Sequence, residues 1–402
     1  MKQRLAPLGA AALALLVSAA AVVACADMDA SLTDATDNDA GARGDGGFGS
    51  DASSIPAPAP GVGAVSGVVI LHAAAFPSFR LCFENYPELP PQPDVALMPA
   101  ANMVGVEVGS VIRIGSLDRP PGKVYVVDQR EVRASPRDPL DRKCGALIAG
   151  RDLVVNRHYQ LAGEITTPLG VGQVDLLAIT GCGGKSWLDE LGASSGDCTD
   201  WEQTEGSLLA RTVELVPSVI ATESTLPVQV IHMSSLLEAK RAQGEAIDVT
   251  FGALDSSDGG RSLEQTVVAN PPLFEAGAPK MLAVDQTSAA MFGTHGFRIA
   301  LRPVDDPAGT ADPTFFVDQS LAEVQELSFF APTVPTDYYV SASNYALLLV
   351  GDPRITPSYA DGGANPAYDR RRAVHLLAVP VKDDDADDAG TPSVDDAGAI
   401  DR

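Results

Sequence analysis

The chain reads as all-β: two tandem β-sandwich-like (Ig-like) domains with a few short helices, flanked by disordered acidic segments. Three observations predict this. Between residues 62 and 382, short β-branched runs are punctuated by Pro-Pro-Gly and similar breakers, and the same texture begins afresh near residue 218. Helical periodicity is scarce. Both ends turn to Asp, Gly, Ala and Pro with almost no large apolar side chains, a composition that cannot offset the entropy of ordering the chain.

Taken in order, residues 1–24 have the build of an export signal: Lys2 and Arg4, an apolar stretch from about Leu8 to Ala21, then small residues. An uncleaved membrane helix also needs about 20 apolar residues, but Pro7, Gly9 and Ser18 weaken it. Plain secretion with a chance cysteine at the cleavage point is the other alternative. Val22-Val23-Ala24-Cys25 resembles the lipobox of bacterial lipoproteins. The resemblance implies that Cys25 is lipidated and becomes the first residue of the mature chain, and several acyl chains anchor far more durably than one. Ala26 follows, where an Asp would resemble an inner-membrane retention signal. The expected location is therefore the outer membrane, on its periplasmic or surface-exposed side.

Residues 25–61 then form the lipidated cysteine and an acidic tether, and 383–402 an acidic tail. Residues 26–60 hold seven Asp and one Arg, and residues 383–402 hold eight Asp and one Arg. Of the net charge of −25, this leaves −14 for residues 61–382. A polyanion repels phosphates, so no nucleic acid partner is expected. In the tether, Asp37-Asn38-Asp39 lacks the other ligands of a calcium loop. Arg43-Gly44-Asp45 is a triplet that Gly- and Asp-rich tracts produce readily.

Domain 1 (62–217) shows strand runs VSGVVILHA, SFRLCFE, VGVEVGSVIRIG, GKVYVVD, VDLLAIT and LLARTVELV. Domain 2 (218–382) shows LPVQVIHMS, AIDVTFGAL, FRIAL, YALLLV and AVHLLAVPV. SLAEVQELSFF is the clearest helix, with Ser320 and Glu323 spaced as a capping box, and SWLDEL and SSLLEAKRA are further helix candidates. Val68-Val69-Ile70-Leu71-His72-Ala73 and Val228-Gln229-Val230-Ile231-His232-Met233 each read as a strand ending in histidine. Those starts, with Arg119-Pro120-Pro121-Gly122-Lys123-Val124-Tyr125 in the first half, resemble the bacterial family called domain of unknown function 4397. The resemblance implies exported β-sandwich-like modules of unassigned activity, and it supplies no catalytic residues. After each histidine the halves diverge, into AAFPSF and SSLLEAKRAQ.

With Cys25 taken by lipid, Cys82, Cys144, Cys182 and Cys198 remain, an even number that suggests two disulfides with three connectivities open. Local closure favours Cys82–Cys144 and Cys182–Cys198. A zinc site is disfavoured, since no C-x-x-C occurs and no histidine sits at ligand spacing.

Gly192-Ala193-Ser194-Ser195-Gly196 fits the letters of a nucleophile elbow, with Asp352 and His375 following in hydrolase order. An exported serine hydrolase using Ser194 is thus the alternative function. Its context argues against it: helical SWLDEL leads in, Cys198 follows at once, and His375 lies inside the apolar run AVHLLAVPV. AITGCGGKS has Lys185-Ser186 after paired glycines, but Ile179 stands where a phosphate loop needs glycine. His72 and His232 read as hydrogen-bonded structural residues rather than metal ligands, so neither metal nor cofactor is expected. Trp187 and Trp201 bracket the Cys182–Cys198 segment and are the candidate ligand-binding residues, able to stack on a glycan; the competing reading packs them over the disulfide. The expected function is that of an envelope-anchored lipoprotein with a non-catalytic binding or structural role. Its expected partners are the membrane, through the lipid, and a glycan or envelope protein.

Overall fold

The computed structural model describes residues 66–93, 105–133, 142–150, 153–191, 198, 200–215, 225–254, 265–284, 293–305, 313–328, 344–355 and 370–381. All belong to one compact unit, Ser54–Arg402. The export signal, Cys25, both acidic segments, Ser194 and the expected domain boundary near 217 lie outside the described residues.

The first half runs β1 (Gly67–Ala75), β2 (Phe79–Phe83), β3 (Val111–Ile114), β4 (Gly122–Asp128), α1 (Gln129–Arg133), α2 (Cys144–Ala149), β5 (Tyr159–Ile165), β6 (Val174–Cys182), α3 (Lys185–Leu191) and β7 (Leu209–Leu215). The second runs β8 (Thr225–His232), α4 (Ser235–Arg241), β9 (Glu245–Ala253), β10 (Gln265–Ala269), β11 (Lys280–Ala283), β12 (His295–Pro303), β13 (Phe315–Ser320), α5 (Leu321–Ser328), β14 (Asn344–Val350) and β15 (His375–Val381). The protein is mostly strand, with few short helices. No described helix is long and apolar enough to cross a membrane.

Strand order exposes a repeat. One four-stranded sheet is β3-β1-β6-β7 and another is β11-β8-β14-β15. In each, the first strand of the half pairs parallel with a late strand, β1 with β6 and β8 with β14, and the outer neighbours are antiparallel. The remaining sheets, β2-β4-β5 and β10-β9-β12-β13, match once β10 is set aside. His72 faces Ile179 across the first parallel pair and His232 faces Leu349 across the second, so the two histidines are equivalent positions.

Side-chain alternation on the four-stranded sheets explains how the halves meet. Val68 and Ile70 enter a core with Phe79, Leu81 and Val126, whereas Val69 and Leu71 point the other way. Tyr345, Leu347 and Leu349 likewise enter a core with β9 and β12, while Ala346, Leu348 and Val350 face outward from it. The outward sets from both halves, with Leu176, Ile231, Leu377 and Val379, form one shared core. The central strands β1, β6, β8 and β14 are therefore covered on two faces, and β14 and β15 are buried at every position, whereas the edge strands β7 and β11 are largely exposed. Beyond the apolar contact, Arg371 pairs with Glu107, Arg113 donates to the Pro380 carbonyl, and the His375 ring meets the Gly109 carbonyl at 2.9 Å.

Several elements differ from expectation. The run Val104–Gly115 is interrupted, because Gly109 turns with φ 66° and only Val111–Ile114 pairs with β1. Strands β5, β10, β11 and β13 and helix α1 carry too little apolar pattern to have been read, and α2, CGALIA, is too short to show a helical period.

Candidate functional site

The two parallel pairs end at a common place. The carboxyl ends of β1 and β6 and the residues just after β8 and β14 line an open cleft with a cavity volume of about 90 Å³. Equivalent residues of the two halves meet there. Gly181 and Gly351 each lie two positions beyond the residue that faces the repeat's histidine, with φ of 82° and 102°. A Cβ on Gly181 would strike the Ser207 carbonyl, and one on Gly351 the Ala373 carbonyl, so neither site admits a side chain without movement.

Each histidine shapes its strand end. The His72 Nδ1 lies 3.4 Å from the Ala74 amide and the His232 Nδ1 lies 3.4 Å from the Ser234 amide, so both rings accept from the residue two positions on. That leaves Nε2 as the donor. In His72 it meets the Pro77 carbonyl at 3.0 Å, and the ring packs on Phe79. In His232 it has no hydrogen-bond partner and stands 3.6 Å from Glu238, whose other oxygen holds Arg241 at 2.7 Å. Burial pushes both rings down to about pKa 4, opposed in His72 by carbonyl contacts and aided in His232 by Arg241. Both are structural turn-formers in their neutral form.

The cleft wall is mixed. Ala73, Ala75, Val108, Leu191, Leu236 and the Cys182–Cys198 disulfide supply apolar surface. Ser234 is committed to structure: its hydroxyl donates to the Gly351 carbonyl at 2.6 Å and accepts from the Leu237 amide at 3.1 Å, capping α4. Asp352 is gripped at both oxygens by Arg354, at 2.9 and 2.7 Å, and Arg372 lies on the same wall.

The cysteines pair as Cys82–Cys144 and Cys182–Cys198, the connectivity favoured by local closure. Trp187 does not offer a stacking face: it is 2% exposed, packs on Phe76 and donates from Nε1 to Asp128 at 3.1 Å. It belongs to the first-half core. Trp201 is half-buried and donates to the Gly183 carbonyl at 2.9 Å. His375, proposed base of the hydrolase alternative, is buried, with Ala373 and Gly109 carbonyls at 2.8 and 2.9 Å from its two nitrogens. Lys185, of the phosphate-loop lookalike, opens α3 and pairs with Asp189 at 2.9 Å. Among the described residues, no three His, Cys, Asp or Glu side chains cluster as a metal site.

The cleft residues Arg354, Arg372 and Gly351 carry no motif, and sequence reasoning missed them. The usable signal was the double match, His72 with His232 and Gly181 with Gly351. Neither protein-family models nor curated proteins give a match to the chain.

Proposed function

We propose that the protein is a non-catalytic binding protein moored to the bacterial outer membrane by lipid on Cys25, and that it binds in the cleft between its two repeats. The observation that carries this reading is the cleft itself, built from equivalent strand ends of both halves, where Gly181 and Gly351 occupy matching positions. Both disulfides support an oxidising compartment outside the cytoplasm. The strand-and-histidine starts support kinship of each repeat with the domain of unknown function 4397 modules.

Intact-mass analysis of the chain from its host tests the mooring. A mature form beginning at Cys25, carrying acyl mass and four oxidised thiols, is the expected result. An unprocessed chain with reduced thiols in the cytosol would overturn it. Esterase or peptidase turnover abolished by Ser194→Ala would defeat the non-catalytic part. Envelope pull-down and sugar arrays separate a protein partner from a glycan.

A further inference from the structure

We propose that Cys182–Cys198 is a thiol–disulfide exchange site, opened from the cleft by a small dithiol while Cys82–Cys144 stays closed. The inference uses the cleft only as a route for solvent and does not depend on what the cleft binds. Access is the first argument, because exchange requires a thiolate to reach a disulfide sulfur. Cys82 and Cys144 are 1% and 2% exposed and lie in a small core with Val127, Val132 and Leu147. Cys182 and Cys198 both line the open cleft, and Cys198 is only half-buried. A reductant therefore meets the second bond in the native protein, whereas it reaches the first only when the structure around α2 opens.

What remains after the bond is broken is the second argument. Other contacts hold the chain on both sides of it. The Ser207 amide donates to the Cys182 carbonyl at 2.8 Å, the Gly183 amide donates to the Ala75 carbonyl at 3.0 Å, and Cys182 faces Ala75 at the end of the parallel ladder. Toward Cys198, the Trp201 indole donates to the Gly183 carbonyl at 2.9 Å and the Lys185 amide to the Gln203 carbonyl at 2.8 Å. Between them, Trp187 fastens α3 to Phe76. Reduction removes one crosslink and leaves these contacts, so the chain keeps its fold and presents two thiols to the cleft.

The step is a two-electron exchange. One thiolate of the dithiol attacks the Cys198 sulfur, the more exposed of the pair; the Cys182–Cys198 bond breaks, a mixed disulfide forms, and Cys182 leaves as a thiolate that takes up a proton. The second thiol of the reductant then attacks the reductant's own sulfur in the mixed disulfide. Cys198 is released as a thiol and the reductant ends as a cyclic disulfide, two electrons and two protons having passed to the protein.

Timed reduction with dithiothreitol at mildly alkaline pH, followed by alkylation and peptide mass mapping, tests the assignment on the full chain carrying Cys25→Ser, so that only the four paired cysteines are counted. Cys182 and Cys198 should be alkylated about a hundredfold sooner than Cys82 and Cys144, which wait for local opening. Near-ultraviolet circular dichroism should persist at the stage where only Cys182–Cys198 is open. In single variants, the Cys198 thiol left by Cys182→Ser should react with N-ethylmaleimide about tenfold faster than the Cys182 thiol left by Cys198→Ser. Equal rates for the two bonds, or Cys82–Cys144 opening first, would overturn the exchange site. Native dichroism lost with Cys182–Cys198 alone reduced would overturn the survival of the fold, and a faster Cys182 would overturn the order of attack.

Discussion

The two repeats share one strand plan but guard the first strand of the outer sheet by different means. In the second repeat, the outer edge of β9 is covered by β10, a strand paired along Gln265–Ala269. In the first, the matching edge of β2 meets two single-residue bridges, Phe79 with Val106 and Leu81 with Gln92. Side chains and a covalent bond complete the cover there. Arg80, 1% exposed, binds the Gln129 side chain and the Pro91 and Pro93 carbonyls. Cys82–Cys144 fastens α2, whose Cys144 and Gly145 amides donate to Leu89 and Pro87 at 2.7 and 2.9 Å. An open edge is a liability in any sheet. The difference teaches that one frame can close it with a ladder or with a staple and a buried guanidinium.

The largest effect should come from removing that staple. Cys82 and Cys144 are 62 residues apart and Cys182 and Cys198 are 16 apart. On the chain-entropy model the first bond contributes about 4 kcal/mol and the second about 3 kcal/mol. The pair Cys82→Ala with Cys144→Ala should therefore lower the denaturant midpoint more than Cys182→Ala with Cys198→Ala. Equal losses would mean that the first bond does not stand in for a missing strand.

Next in size is the response to acid, which tests what the repeats have in common. His72 and His232 are depressed to about pKa 4, below the ordinary histidine value of about 6.5, so the unfolded chain takes up protons first as pH falls. The stability each contributes is complete above about pH 6.5 and is lost progressively toward pH 4. Each amounts to about 3 kcal/mol over that window. Burial lowers His375 too, so it adds loss of the same sign. Comparing unfolding at pH 7 and pH 4.5 for wild type, His72→Gln and His232→Gln isolates the two rings from the carboxylate background. Each variant should lose less stability between the two pH values than wild type does. At pH 7, His72→Gln should cost more, since it alone gives up a bond to a buried carbonyl, Pro77. If His232→Gln proves the costlier, the contact with Glu238 matters more than its 3.6 Å separation indicates.

Smaller still is the glycine pair. Gly181→Ala and Gly351→Ala both place a Cβ against a backbone carbonyl at positive φ, and each should cost about 2 kcal/mol. Matching costs, read from denaturation midpoints, would support the equivalence of the repeats. A twofold disparity would break it.

Much of this fold was legible because burial wrote itself into the strands. NYALLLV and HLLAVPV are apolar at nearly every position because both faces of their sheet are covered, the pattern expected of a doubly buried sheet. The same runs could not say what covered them. Val69 and Leu71 announce a second buried face, but not that Ile231 and Leu348, over a hundred residues on, fill it. Strand β13 was missed because FFVDQS is half polar and leads straight into α5, and β11 because four residues make no period. Trp187 illustrates the limit for the site. A tryptophan beside a disulfide looks the same in sequence whether it faces solvent or packs on Phe76. The cleft was hidden for a plainer reason: pairing of distant strands, not local spacing, brings Gly181, Ser234 and Gly351 together.

The smallest expected effect concerns helix starts, where the repeats again differ. In the second repeat, Ser234 caps α4, and Ser320 and Glu323 form a reciprocal box at α5, with amide bonds of 3.2 and 2.8 Å. In the first, α2 begins after Lys143, which is extended in the manner of a cap residue, at φ −68° and ψ 142°, but makes no side-chain cap bond. The disulfide at Cys144, one residue later, fixes that start instead. Lys143 is exposed, so Lys143→Ser loses little and offers a hydroxyl to an amide of the first turn. It should stabilise the chain by about 0.5 kcal/mol, half the usual value of a cap, because the helix start is already tied. In the background lacking Cys82–Cys144, the same substitution should gain about 1 kcal/mol. Denaturation midpoints of the four proteins give the difference directly. Identical gains in both backgrounds would show that cap and staple act independently, and the substitution of one device for the other would fail at this helix.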